Sequence, residues 1–272
     1  MRLTDSIRAL PLRLWAAARA LAGQYDEAPA GWSTSEIQVR KRISKSIGLH
    51  LAVAKEIEAL AYDIMVNLSK PSRPQAILRA HSILLVRTLQ DLRACVLLSL
   101  RGYTMQAWTA AASAFEAAHA MGFIGADPSR AERWLNHTDQ DRGPFSVKDG
   151  VVGSFKYLDL GQTASDRQQL VDNEYGLYEK LCMAKHINPL AERNRYWISR
   201  DNSTRLQFTP FLSDGRIKEA RLGLALAARS AILALWVLSK THDAGGTDGR
   251  ILPLAAKSGD LVAGWNSSTA AV

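Results

Sequence analysis

Glu116 and His119 stand three residues apart in the alanine-rich stretch Glu116-Ala-Ala-His119. On an α-helix that spacing puts a carboxylate and an imidazole on one face, the pairing with which helix bundles hold metal ions. A di-metal site of that kind needs a second Glu-x-x-His and two further glutamates on facing helices. The chain has six histidines and no second copy of the motif. The expectation is therefore no metal and no cofactor, with Glu116 paired to a cation in the bundle core or at its edge. No Gly-x-x-x-x-Gly-Lys loop, Gly-x-Gly-x-x-Gly fingerprint, Gly-x-Ser-x-Gly elbow or His-Glu-x-x-His is present. Several nucleotide-binding, hydrolase and metalloprotease classes are thereby excluded.

Two further groupings carry resemblances to known families. In Arg130-Ala-Glu-Arg-Trp-Leu-Asn-His137 an arginine precedes a histidine with six residues between them. This resembles the motif of HEPN-type ribonucleases and implies, as an alternative, a metal-independent ribonuclease or toxin using Arg130 and His137 on RNA. In Tyr178-Glu-Lys-Leu181-Cys182-Met-Ala-Lys-His186 the steps of three, one and four keep Tyr178, Leu181, Cys182 and His186 near one side of a helix. That pattern is similar to a Tyr-x-x-Leu-Ser-x-x-x-His signature of an uncharacterised bacterial all-helical family. Ala112-Ser-Ala-Phe-Glu116, Asp127-Pro128 and Trp134 match, in order and spacing, its Arg-x-x-x-Glu element, its Asp-Pro connection and its Trp-bearing helix. Cys182 stands in place of the family's serine and Ala112 in place of its arginine. The resemblance implies a helical fold and no stated activity. It leaves Glu116, Tyr178 and His186 as catalytic candidates beside a plain structural role for Tyr178 and His186, each hydrogen-bonding a neighbouring helix.

The elements that must position these residues read as helix after helix. Ser33 and Glu36 form a Ser-x-x-Glu capping signature. From there an apolar stripe runs Val39, Ile43, Ile47, Leu51, Ala54, Ile57, Ala61, Ile64, Leu68 at steps of three and four. After Pro74 a helix to about Arg101 carries Leu78, Leu85, Leu89, Leu92 and Val96, and Gly102 stops it. The alanine-dense stretch 104–122 is expected to be central, because small side chains let helices approach closely. Asp127-Pro128 opens a short helix through Trp134. Residues 138–163 read as irregular, and helix returns from about Ser165 to Lys185. A short helix towards Trp197 and an extended segment at 204–212 follow. The last long helix starts after Asp214-Gly215, and its stretch from Leu222 to Leu238 is apolar except for Arg229 and Ser230. A spanning helix needs ~20 apolar residues, so a buried core helix is expected, with Glu116, Asp172, Glu174 or Glu179 as the partner of Arg229.

Composition sets the outer bounds. With 47% hydrophobic and 22% charged residues the chain belongs with globular proteins. Two cysteines, Cys95 and Cys182, cannot make a disulfide framework, which leads to the expectation of a reducing, cytoplasmic setting. Residues 1–101 hold 15 Lys/Arg against 8 Asp/Glu, and the rest hold 19 against 18. Of the net charge of +8, +7 thus resides in the N-terminal third, whose solvated face admits RNA or an anionic surface as partner. Arg2, Arg8, Arg13 and Arg19 interrupt any signal-peptide core and leave a basic amphipathic helix with Ile7, Leu10, Leu14 and Leu21 at helical spacing.

These readings give an all-α antiparallel bundle of about six or seven main helices. The expected organisation is a basic amphipathic segment over 1–30, a bundle over 33–242 and a flexible tail over 243–272. The leading functional expectation is a helical interaction or regulatory protein, with a homodimer as a possible assembly. The ribonuclease, and a membrane-surface protein acting through the N-terminal helix, stand as alternatives.

Overall fold

A computed structural model of the chain describes residues 32–67, 75–139, 143–159, 161, 163–185, 196–198, 204–206, 214–242 and 248–269. The amphipathic segment expected over 1–30 lies outside the described residues. Within them the chain forms nine helices and one short ribbon. In order these are α1 (Trp32–Ser46), α2 (Gly48–Asn67), α3 (Gln75–Arg101), α4 (Thr104–Gly125), α5 (Pro128–Leu135), α6 (Val147–Leu158) and α7 (Ala164–Lys185). Then come β1 (Tyr196–Ile198), β2 (Thr204–Leu206), α8 (Asp214–His242) and α9 (Asp248–Thr269). The fold is an all-α helical bundle. The two strands pair antiparallel, Trp197 opposite Arg205, and the short helix expected to lead towards Trp197 lies outside the described residues.

The long apolar stripe of the first described helices faces inward as its spacing requires. Val39, Ile43, Ile47, Ala54, Ile57, Ala61 and Ile64 are buried. The helix turns at Ile47 without losing its ladder: Ile47 N–H donates to Ile43 O at 2.9 Å and Leu51 N–H to Ile47 O at 3.0 Å. On α3 the inward face is set by Ile77, Ala80, Leu84, Leu85, Leu92 and Cys95, whereas Leu78, Leu89 and Val96 are half-buried. The stripe is therefore turned by about one position from the expected one. Gly102 ends α3 at φ +86°. Its N–H donates to Ser99 O at 3.0 Å and that of Tyr103 to Leu98 O at 2.9 Å, the two bonds of a Schellman cap, which a left-handed glycine permits.

The core is built around α4 and α8. Of the 22 residues of α4, 15 are buried, and it touches α3, α5, α6, α7 and α8. Ala111, Ala112 and Ala118 are fully buried, so these neighbours come close to its backbone. The 29-residue α8 is apolar and long enough to cross a membrane, yet most of that apolar window is buried inside the bundle, as expected for a core helix.

Two expectations are corrected here. Residues 138–163, read as irregular, contain α6, which Ser146 caps by accepting from Asp149 N–H at 3.0 Å. Its Gly153 is a packing residue, since a Cβ there would lie 2.3 Å from Phe123 Cδ2. A Cβ on Gly122 of α4 would lie 2.4 Å from Ser154 Cβ, so only glycine allows α6 to sit this close. The second correction concerns the expected flexible tail over 243–272. It contains α9, whose Ile251, Leu254, Ser258 and Val262 are buried at helical spacing. Arg250 and Lys257 tie α9 to α2 through Asp63 at 2.8 Å and Glu56 at 2.7 Å. Alanine, glycine and serine there make a smooth helix that packs, not a segment without order.

Candidate functional site

Helix α4 presents Glu116 and His119 one turn apart, and α7 presents Glu174 and Tyr178 one turn apart. Where these faces meet, two polar rungs cross the seam. In the outer rung Glu116 Oε1 accepts from the Tyr178 hydroxyl at 2.7 Å and from Lys185 Nζ at 2.6 Å. The Tyr178 ring stacks on Phe115 with centroids 5.1 Å apart. Burial, and after it the neighbouring Cys182 and Glu116, pushes the Tyr178 hydroxyl far above its usual range. It is a fixed donor with no tendency to act as a base.

The inner rung is buried. Because α6 rests against α4 at Gly122, Ser154 Oγ comes 2.7 Å from His119 Nδ1. On the other side of the ring, His119 Nε2 lies 3.7 Å from Glu174 Oε1. The second carboxylate oxygen is 2.5 Å from a terminal nitrogen of Arg229 on α8. Burial raises the Glu174 carboxyl, but His119 and Arg229 outweigh it and hold the group below the usual carboxylate range. At 3.7 Å Nε2 makes no hydrogen bond to the carboxylate.

In connectivity this is serine, histidine, carboxylate, the order of a hydrolase triad. Its surroundings argue against that chemistry. Ser154 and His119 are 0% and 1% exposed, so no substrate carbonyl reaches Oγ. The hydroxyl also lies 2.9 Å from Val151 O as a donor, a bond inside its own helix. The rung is a cross-link of four helices, α4, α6, α7 and α8, made from polar groups that are seldom buried singly.

An open site lies beside it. Between α6, α7, α8 and α9 is a cavity of about 290 Å³ whose walls include Phe155, Leu170, Leu233 and Trp236. The Arg229–Glu174 pair forms its polar end, and Ser258 and Gly259 of α9 close one side. The two ends of the ion pair differ in access: the Arg229 side chain is 37% exposed and that of Glu174 is 5% exposed. A second hollow of about 260 Å³ lies against α4, bordered by Arg87, Glu116, Trp134 and Phe145. Its arginine is committed, to Asp91 at 2.7 Å and to Ser113 at 2.9 Å.

The structure thus brings Glu116 and Tyr178 into direct contact, and places His119 one turn away with different partners. His186 lies outside the described residues. Arg130 sits at the start of α5, donating to Phe123 O at 3.0 Å with its guanidinium 4.0 Å over the Phe123 ring. His137 is exposed beyond the other end of α5, seven positions on, which at helical rise is roughly 10 Å along the axis. Among the described residues no group of three or more His, Cys, Asp and Glu side chains is placed to hold a metal ion. Glu174 is the acid that pairs with Arg229, one of the four weighed for it. Ser154 was missed, although Gly150-x-x-Gly153-Ser154 is the small-residue spacing of a close helix contact. Set against models of known protein families, curated proteins and solved structures, the chain matches none.

Proposed function

We propose that this chain is a helical regulatory module that works by binding a small, largely apolar molecule in the pocket between α6, α7, α8 and α9. The observation that carries the reading is the contrast between two neighbouring sites. The residues with catalytic connectivity, Ser154 and His119, are shut in the core. The accessible site is an apolar hollow with one charged pair among its lining residues, the composition typical of pockets that hold small molecules. Its volume falls near the lower limit of such pockets, ~300 Å³. Helices from both halves of the chain line it, so an occupant would tie α9 to α6 and α7. That provides a physical route by which binding reaches the rest of the bundle.

Gly259 offers a clean test. A Cβ there meets nothing within 4 Å, and glycine inside a helix is disfavoured by ~1 kcal/mol relative to alanine. Gly259→Phe should therefore fill the mouth of the pocket while leaving the fold at least as stable. The expected result is that 1-octanol, a neutral probe, raises the thermal midpoint of the intact protein and has no effect on Gly259→Phe. An unchanged midpoint in the intact protein, or equal shifts in both, would overturn the reading.

A further inference from the structure

Resting on the pocket reading above, we infer that the molecule it takes is an amphipathic monocarboxylate, its head group on Arg229 and its chain along Leu170, Leu233 and Trp236. The inference turns on which charge the pocket offers. Arg229 and Glu174 cancel in sum, but the guanidinium is 37% exposed and the carboxylate 5%. The carboxylate is also surrounded, with Arg229 on one oxygen and His119 3.7 Å from the other. An incoming cation must displace Arg229 or reach an oxygen that solvent scarcely touches. An incoming anion meets a planar fork of five N–H donors, of which the Glu174 contact engages one terminal nitrogen.

The walls narrow the class further. A compact hydrophilic anion such as phosphate would leave Leu170, Leu233 and Trp236 unfilled. Its second charge would also face an arginine whose charge Glu174 already balances. A single carboxylate matches the fork in shape and forms charge-assisted, bidentate hydrogen bonds. These gain strength where the walls exclude water. Size sets the length of the chain. At ~30 Å³ for each water-sized group, a cavity of about 290 Å³ holds roughly ten non-hydrogen atoms. An eight-carbon carboxylate has that number.

The experiment is calorimetric titration of the full chain with octanoate, 1-octanol and octylammonium, each below its micellar range. Three proteins are compared: the intact one, Gly259→Phe, and the double variant Glu174→Gln, Arg229→Met, which removes both charges together so that neither is left buried alone. Octanoate is expected to bind one to one, roughly tenfold to a hundredfold tighter than 1-octanol, the range for a hydrogen bond to a charged group. Octylammonium should bind no better than the alcohol. Gly259→Phe should lose both alcohol and carboxylate. The double variant should keep the alcohol and lose the carboxylate's advantage. Should circular dichroism find the double variant unfolded, Arg229→Lys serves in its place, with octanoate weakened several-fold and 1-octanol unchanged.

Equal affinity for octanoate and 1-octanol, both lost in Gly259→Phe, would remove the head-group assignment and leave the pocket standing. Tightest binding by octylammonium would reverse its sign. An octanoate preference that survives loss of Arg229 would put the anion elsewhere and overturn the inference. Failure of all three probes to bind would end both the inference and the reading beneath it.

Discussion

Glu116 and Glu174 are chemically the same residue on opposite turns of one seam, and burial separates their contributions. Glu116 and Lys185 are 31% and 37% exposed, so their attraction is screened and Glu116→Gln should cost no more than about 1 kcal/mol. Glu174 is nearly sealed. Its replacement by Gln alone leaves Arg229 short of its counter-charge and should cost roughly 3 kcal/mol. Urea midpoints of the two variants check the ranking, which equal costs would contradict. The buried histidines add a pH dependence. His50 is brought down to about 4 by burial and then by Arg221, and His81 to about 4 by burial and then by its neighbour His242. Each stays neutral in the fold after the unfolded chain has begun to take up a proton near 6.5. Stability is therefore complete above about pH 6.5 and is lost as pH falls towards 4, by roughly 3 kcal/mol at most for each group. Glu174, held low, keeps its share above the ordinary carboxylate range and gives it up as pH falls from that range through its lowered folded value. Thermal midpoints should fall steadily from pH 6.5 to pH 4, and a flat profile would show that these rings are not buried neutral.

At the scale of the element, helix contacts here are decided by where side chains are missing. Gly122→Ala would drive a Cβ to within 2.4 Å of Ser154 Cβ and should cost about 1–3 kcal/mol by forcing α6 off α4. Gly176→Ala, inside α7 with nothing within 4 Å of the new carbon, should stabilise by about 0.5–1 kcal/mol. Opposite signs for two glycine-to-alanine changes, read from urea midpoints, are the expected outcome. The same point explains what could be read from the sequence. The stripe from Val39 to Ile64 is long and regular, and its period alone predicts which face is buried. The Asp127-Pro128 start of α5 and the Gly102 stop of α3 were equally readable, since each residue there has one structural use. Helix α6 was not, because Gly150 and Gly153 mean a turn or a close contact with equal force. Only the partner helix decides between them. In α9 the apolar positions Ile251, Leu254 and Val262 are few, and small residues between them mask the period.

For the whole molecule, the apolar content of α8 goes into the core, and the pocket exists because α6, α7, α8 and α9 do not close completely around Arg229. The site was only partly readable. Arg229 announced itself as a charge in an apolar run, and Glu174 stood among its possible partners. Ser154 and the pocket depend on the α4–α6 and α8–α9 packings, which no local spacing encodes. Because α9 supplies one wall, a chain ending at residue 247 should lose the protection of α8 around Ala225 in hydrogen exchange, where Ser258 now packs. It should also lose binding of 1-octanol. Retention of both by the shortened chain would mean that α9 adds nothing to the site.

The most direct check on the pocket is fluorine NMR of protein labelled with 5-fluorotryptophan, using Trp236→Phe to assign the Trp236 signal among the seven tryptophans. Titration with octanoate should move the Trp236 resonance in a saturable way and leave most of the others in place. A Trp236 signal that stays still while ligand binds, or uniform movement of all seven, would contradict the assignment of function to this pocket.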